Sequence, residues 1–210
     1  DLYHFLAFLP SRIHGSGSLT KYWAYGEKGT KLRGIEARQH STPKWIGDLQ
    51  CAALNILIDH HGQGFEINDS RIQQRIIALL HDELQRLNNN IVSLEDLVNT
   101  RRVSKTVTEF SVSTLTHSAL LRAQNLGYQI MPGRKVRFVV VNSNSGKVED
   151  RVVLIEELSN LPLHVKSDYD YYSRLAVRAI WAILSPFGWS DDEIRSGSKT
   201  TTLFDFNKPS

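Results

Sequence analysis

Apolar residues recur at steps of three and four between Lys44 and His60, at Ile46, Leu49, Ala53, Ile56 and Leu57, which is the period of one helix face. Ser41-Thr42-Pro43 before this stretch supplies a helix-start signal, and Gly62-Gln63-Gly64 supplies an end. The same period returns over Arg71 to Leu87, through Ile72, Ile76, Leu79, Leu80 and Leu84, capped by Asn68-Asp69-Ser70 and stopped by Asn88-Asn89-Asn90. Further helices are predicted over Ser113 to Leu126, ending at Gly127, and over Asp168 to Leu184.

Elsewhere the pattern is extended. Leu2 to Leu9 is apolar and aromatic and runs into the polar turn Ser11 to Ser18. Thr20 to Tyr25 and Lys31 to Arg38, around Gly26-Glu27-Lys28-Gly29, predict a β-hairpin. Ile91 to Asn99 reads as a short helix or strand. Tyr128 to Ile130, Lys135 to Val141 and Glu149 to Ile155, with turns at Met131-Pro132-Gly133 and Asn142 to Gly146, predict a small β unit. From Ser196 the chain reads as a tail with an aromatic tip. The predicted class is α+β: a β-hairpin, then a mainly helical part with a small antiparallel β unit.

At 210 residues with 41% hydrophobic content, the chain can build a real core. No apolar run approaches the roughly 18 residues that a membrane helix requires, and the start at Asp1 has no secretory layout, so a soluble intracellular protein is expected. A start at aspartate rather than methionine also suggests a piece of something longer. The single cysteine, Cys51, falls in the apolar stretch Leu49 to Ile58, where a buried thiol is expected. Net charge is +3 and the pI is about 9.0, which permits a polyanionic partner without demanding one. Basic residues gather at Lys21 to Lys44, Arg101 to Lys105 and Arg134 to Arg137, and acidic ones at Glu149 to Asp170.

In a strand alternate side chains share a face, so Lys31 and Arg33 project together while Leu32 and Ile35 can turn to a core. Arg38 would join the cationic face if no bulge intervened. Such a face can lie along phosphates or simply be wet, and the spacing leaves both open.

Here the chain resembles family B DNA-directed DNA polymerases, in which a lysine-tyrosine strand is followed by a lysine-x-arginine-glycine strand and a further arginine. Lys21-Tyr22, Lys31-x-Arg33-Gly34 and Arg38 match that pattern. The resemblance continues through Val103-Ser104-Lys105, Glu109-Phe110 and His117, with Thr116 where the family has proline. It runs on through Gly127 to Gly133, Glu149-Asp150-Arg151, Asp168 to Tyr172 and Phe187-Gly188-Trp189, so that it spans roughly residues 20 to 190.

The resemblance implies a palm edge over residues 1–42, a thumb over 43–192 and a flexible tail over 193–210. It makes Lys21, Tyr22, Lys31, Arg33, Gly34, Arg38, Ser104, Lys105 and His117 the duplex-contact candidates. Ser104 and Thr106 could add neutral hydrogen bonds to phosphate oxygens, and a helix start near Ser113-Thr114 could add N–H donors. The implied work is to grip primer-template DNA during synthesis by a complete enzyme. The upstream palm, fingers and exonuclease parts would be partners, and Mg2+ would be bound there and not by this segment. A non-catalytic DNA-binding or partner-binding subunit is the alternative. A nucleoid association would follow in a prokaryote.

Nucleotidyl transfer by two metal ions needs converging carboxylates, with the metals about 3.5–4 Å apart. No catalytic set is expected within this chain. Asp168-Tyr169-Asp170 stands at a helix start, where capping explains it better than a metal does. Asp59-His60-His61 lacks a third ligand at helical spacing. In the tail, Leu203, Phe204 and Phe206 resemble a sliding-clamp docking peptide, with Thr200 in place of the usual glutamine; folding back on the thumb is the open alternative.

Overall fold

The computed structural model describes residues 2–10, 17–62, 69–162 and 164–198. Three strands open the chain: β1 (Tyr3–Pro10), β2 (Gly17–Gly26) and β3 (Gly29–Arg33), antiparallel in the order β1-β2-β3. The tight turn between Gly26 and Gly29 pairs Tyr22 with Arg33, Trp23 with Leu32 and Ala24 with Lys31. Trp23 is fully buried, and Phe5 packs 4.9 Å from it, ring centre to ring centre. This is the predicted hairpin with the apolar first segment added as a third strand. The second hairpin strand is shorter than predicted, because Gly34 turns to φ +67 and residues 36–38 coil into a 3-10 turn.

Three helices follow the predicted periods. α1 (Lys44–Gly62), α2 (Ser70–Asn88) and α4 (Tyr169–Leu184) bring Ile46, Leu54, Leu57, Ile72, Ile76, Leu80, Ile180 and Ile183 into one core, each at most 2% exposed. Cys51 is exposed, contrary to expectation. Its neighbours Leu49, Ala53 and Leu54 occupy the inward positions, and position 51 lies outside that stripe. Partial burial, with the Asp48 carboxylate, still pushes the thiol pKa up.

The second sheet contains β4 (Asn99–Arg102), β5 (Lys135–Val140) and β6 (Val152–Leu154), antiparallel in that order, with α3 (Leu115–Asn125) between β4 and β5 in sequence. The extended reading of residues 128–130 does not hold. Tyr128 instead closes the end of α3, its N–H donating to the Ala123 carbonyl, and the third strand comes from upstream as β4. A short helix, α5 (Asp191–Ser196), buries Ile194, so residues 193–196 are helical. With the two small sheets and the packed helices, the architecture is α+β.

Asp168 caps α4. Its carboxylate accepts from the Tyr171 N–H at 2.8 Å and from the Ser143 N–H at 2.6 Å. Burial pushes this carboxyl upward, but the Ser143 and Tyr171 hydrogen bonds outweigh it and hold the pKa below the usual aspartate range. The stabilisation is therefore present above the unfolded aspartate pKa of 3.8 and is lost as pH falls through the depressed folded value. Asp168→Ala is expected to cost about 1–2 kcal/mol in thermal melts at neutral pH, with the gap to the parent closing in strong acid. A constant gap down to that acid limit would argue against the capping role.

Candidate nucleic-acid interface

The register of β2 and β3 puts Lys31 and Arg33 on the same face as Tyr22, and both cations are exposed. Leu32 turns the other way, half-buried against the core, and Ile35 is 1% exposed. The Lys31 ammonium donates to the Tyr3 hydroxyl at 3.1 Å and sits 5.8 Å from the centre of the Tyr3 ring. That hydrogen bond, with the Tyr22 and Tyr3 hydroxyls nearby, keeps the Lys31 pKa above the ordinary lysine value. Tyr22 packs edge-on against Phe8, ring centres 5.8 Å apart, so the cations stand beside an aromatic border.

The other hairpin candidates are placed differently. Lys21 has the parity of Trp23, which assigns it to the opposite side of the sheet, and its Cγ lies next to Gly34. A Cβ on Gly34 would run into the Thr20 carbonyl oxygen and come within 3.0 Å of Lys21 Cγ, so the residue is demanded by backbone approach and by its positive φ. Arg38 does not extend the strand face, because the chain has already left the sheet; it is exposed at the end of the 3-10 turn.

That turn is fixed from below by Gln50, a buried polar residue of α1 that sequence reading missed. Its side chain accepts from the Ala37 N–H at 2.7 Å and donates to Glu36 at 3.0 Å and to the Ala179 carbonyl of α4 at 2.9 Å. One amide thereby ties the exit of the hairpin to two helices. A glutamine within an apolar helix was the available signal.

Ser104 and Lys105 are exposed just beyond β4. The ladder continues to Val103, whose N–H donates to Arg134 O at 2.8 Å and whose carbonyl accepts from Gly133 N at 2.7 Å. Thr106 is not free to meet a phosphate as expected: its hydroxyl donates to Glu109 Oε2 at 2.6 Å and its N–H donates to the same oxygen at 2.6 Å. His117 is half-buried in the first turn of α3 and stacks on Phe110 with ring centres 5.0 Å apart and planes 9° from parallel. Its ring is a packing surface on one side, and its Nδ1 has no partner among the described residues. The Thr114 hydroxyl accepts from the His117 N–H at 3.2 Å, so the first turn of α3 is already partly capped.

The structure thus brings Tyr22, Lys31 and Arg33 together, and separately Ser104 and Lys105. Leu203, Phe204 and Phe206 lie outside the described residues. Among the described residues, no group of three His, Cys, Asp or Glu side chains is placed to hold a metal ion. No described helix is long and apolar enough to cross a membrane.

No family model matches the chain. The chain is similar to a DNA polymerase of Thermococcus litoralis, 26% identical over 133 residues, covering 63% of this chain and 8% of that protein. It is similar to a DNA polymerase of Archaeoglobus fulgidus, 24% identical over 139 residues, covering 60% of this chain and 18% of that protein. Among solved structures, the family B DNA polymerase of Pyrobaculum calidifontis matches 83% of this chain and 21% of its own, with a TM-score of 0.63 at 18% identity. The chain therefore spans about a fifth or less of these relatives. The resemblance to family B DNA polymerases read from the sequence is borne out.

Proposed function

We propose that this chain, as a polymerase-derived segment, holds primer-template duplex while carboxylates and Mg2+ elsewhere in a complete family B enzyme perform nucleotide transfer. In this reading residues 1–42 are the palm edge and 43–192 the thumb. The observation that carries it is the exposed pair Lys31 and Arg33, side by side on one hairpin face of a chain similar to DNA polymerases. A polymerase must grip any sequence, and phosphate contacts position a duplex without reading it. Tyr3 holds the Lys31 ammonium from the side, which reduces the side-chain entropy lost on meeting a phosphate. Ser104 and Lys105 would supply a second contact, and His117 would act from its place on the Phe110 ring.

The test is fluorescence anisotropy with primer-template duplex and an equal single strand over a range of salt. Lys31→Ala and Arg33→Ala are each expected to weaken duplex binding by up to about fivefold, alike on unrelated sequences. Each should also flatten the salt slope by about 0.9. Parent-like affinity and slope in both variants would exclude this face as the grip.

A further inference from the structure

We infer that the exposed β4 end of one face of the second sheet is a further binding surface for a nucleic-acid sugar-phosphate backbone, built by Arg102, Lys135 and Arg137. The register sets Arg102 directly across from Lys135, and Thr100 across from Arg137, so these four residues share one face. The three cations are exposed, while Val136 and Phe138, pointing the other way, are 2% and 1% exposed.

Two features separate this face from ordinary wet charge. Like charges placed directly opposite each other on neighbouring strands are destabilising, with Cβ atoms only about 4.5–5.5 Å apart. Arg102 and Lys135 are such a pair, and among the described residues no carboxylate forms an ion pair with either. Nearby arginines are used differently. Arg101 donates to Ser41 O at 3.1 Å, Arg122 pairs with Glu157 at 2.6 Å, and Arg151 donates to Ser145 O at 2.9 Å. The side chains of Arg102, Lys135 and Arg137 have no hydrogen bond or ion pair among the described residues. The fold thus keeps three uncompensated cations on rigid, hydrogen-bonded strands at the cost of their mutual repulsion.

A polyanion with closely repeating charges relieves that repulsion. A nucleic-acid backbone supplies such charges, and cations on it release counterions. Arg102 and Arg137 can each meet a phosphate with two parallel N–H donors. Exposed Ser104 and Lys105 follow β4 directly and extend the surface with a hydroxyl and a further cation. The choice of nucleic acid as ligand rests on the duplex-holding reading above, but these residues are distinct from its hairpin pair.

The experiment uses the whole chain, a random-sequence duplex and salt-dependent anisotropy, with thermal melting in parallel. The combined variant Arg102→Gln, Lys135→Gln and Arg137→Gln should melt at or above the parent temperature and lose about 2 to 3 from the salt slope. Lys135→Glu alone should raise the melting temperature, by turning a repulsive cross-strand pair into an attractive one, while weakening duplex binding several-fold. Unchanged slope and affinity in the well-folded combined variant would overturn the inference. If Lys31→Ala and Arg33→Ala weaken binding in the same assay, the hairpin reading survives that failure. Loss of slope in the sheet variant alone would support this surface and refute the hairpin. Tighter binding of a poly-glutamate peptide than of duplex, abolished by the same variant, would overturn the choice of nucleic acid.

Discussion

Tyr172→Phe is expected to lower stability by about 2–4 kcal/mol, from one oxygen atom, because three buried groups converge on that hydroxyl. Tyr172 is fully buried at the start of α4. Its hydroxyl donates to Leu97 O at 2.8 Å and accepts from the Val140 N–H at 3.0 Å and from the Asn99 amide at 3.1 Å. It therefore joins the beginning of β4, the end of β5 and the long core helix at one point. Phenylalanine would leave the Val140 N–H and the Asn99 amide without this acceptor in a buried site. For a chain of this size the melting temperature should fall by roughly 2–4 °C per kcal/mol lost.

Burial pushes the Tyr172 pKa far above its usual 10.0. A folded pKa raised in this way gives stability that is present below the unfolded value and lost as pH rises past it. Tyr172→Phe should therefore also show a shallower loss of stability above about pH 10 than the parent. A parent-like melting temperature together with a parent-like alkaline limb would show that the hydroxyl does not organise this junction.

The helices were legible because their apolar residues carry the period themselves. Ile46, Leu49, Ala53 and Leu57, like Ile72, Ile76 and Leu80, need no knowledge of a partner to declare a face. β4 did not declare itself in that way. Asn99-Thr100-Arg101-Arg102 is polar, and it is a strand because β5, more than thirty residues away, pairs with it and because Tyr172 and Leu97 satisfy Asn99. Gln50 was hidden for the opposite reason: its partners lie in the turn at residues 36–37 and in α4, far from it in sequence, so beyond its place in an apolar helix nothing local declares its role.

In the candidate interface, strand alternation found Lys31 and Arg33, because register is a local property of the hairpin. Alternation misplaced Arg38, since one positive-φ residue ends the strand before it. It also could not show that Thr106 spends its hydroxyl on Glu109, an arrangement fixed by a turn of four residues. Thr106, whose hydrogen bond is the leading cause, depresses the Glu109 pKa below the ordinary range, so this turn is closed at neutral pH.

Gly34→Ala is expected to weaken duplex binding several-fold while leaving the helices folded. Two costs fall on the same Cβ. A left-handed backbone disfavours any L side chain by roughly 1–2 kcal/mol, and the φ of +67 lies in that region. The added methyl would also meet the Thr20 carbonyl oxygen, which is backbone and cannot swing aside, as well as Lys21 Cγ at 3.0 Å. The chain can escape only by moving the end of β3 away from β2, which displaces Arg33 and Lys21 and loosens Ile35 from the core. Gly29→Ala separates the two costs: its φ is +91, but a Cβ there has open space within 4 Å. Melting should therefore fall modestly for Gly29→Ala and further for Gly34→Ala, with helical circular dichroism retained in both. Duplex affinity should stay near the parent in the first and fall several-fold in the second. Equal affinities in the two variants would mean that the hairpin exit holds no part of the grip, and would assign Gly34 to folding alone.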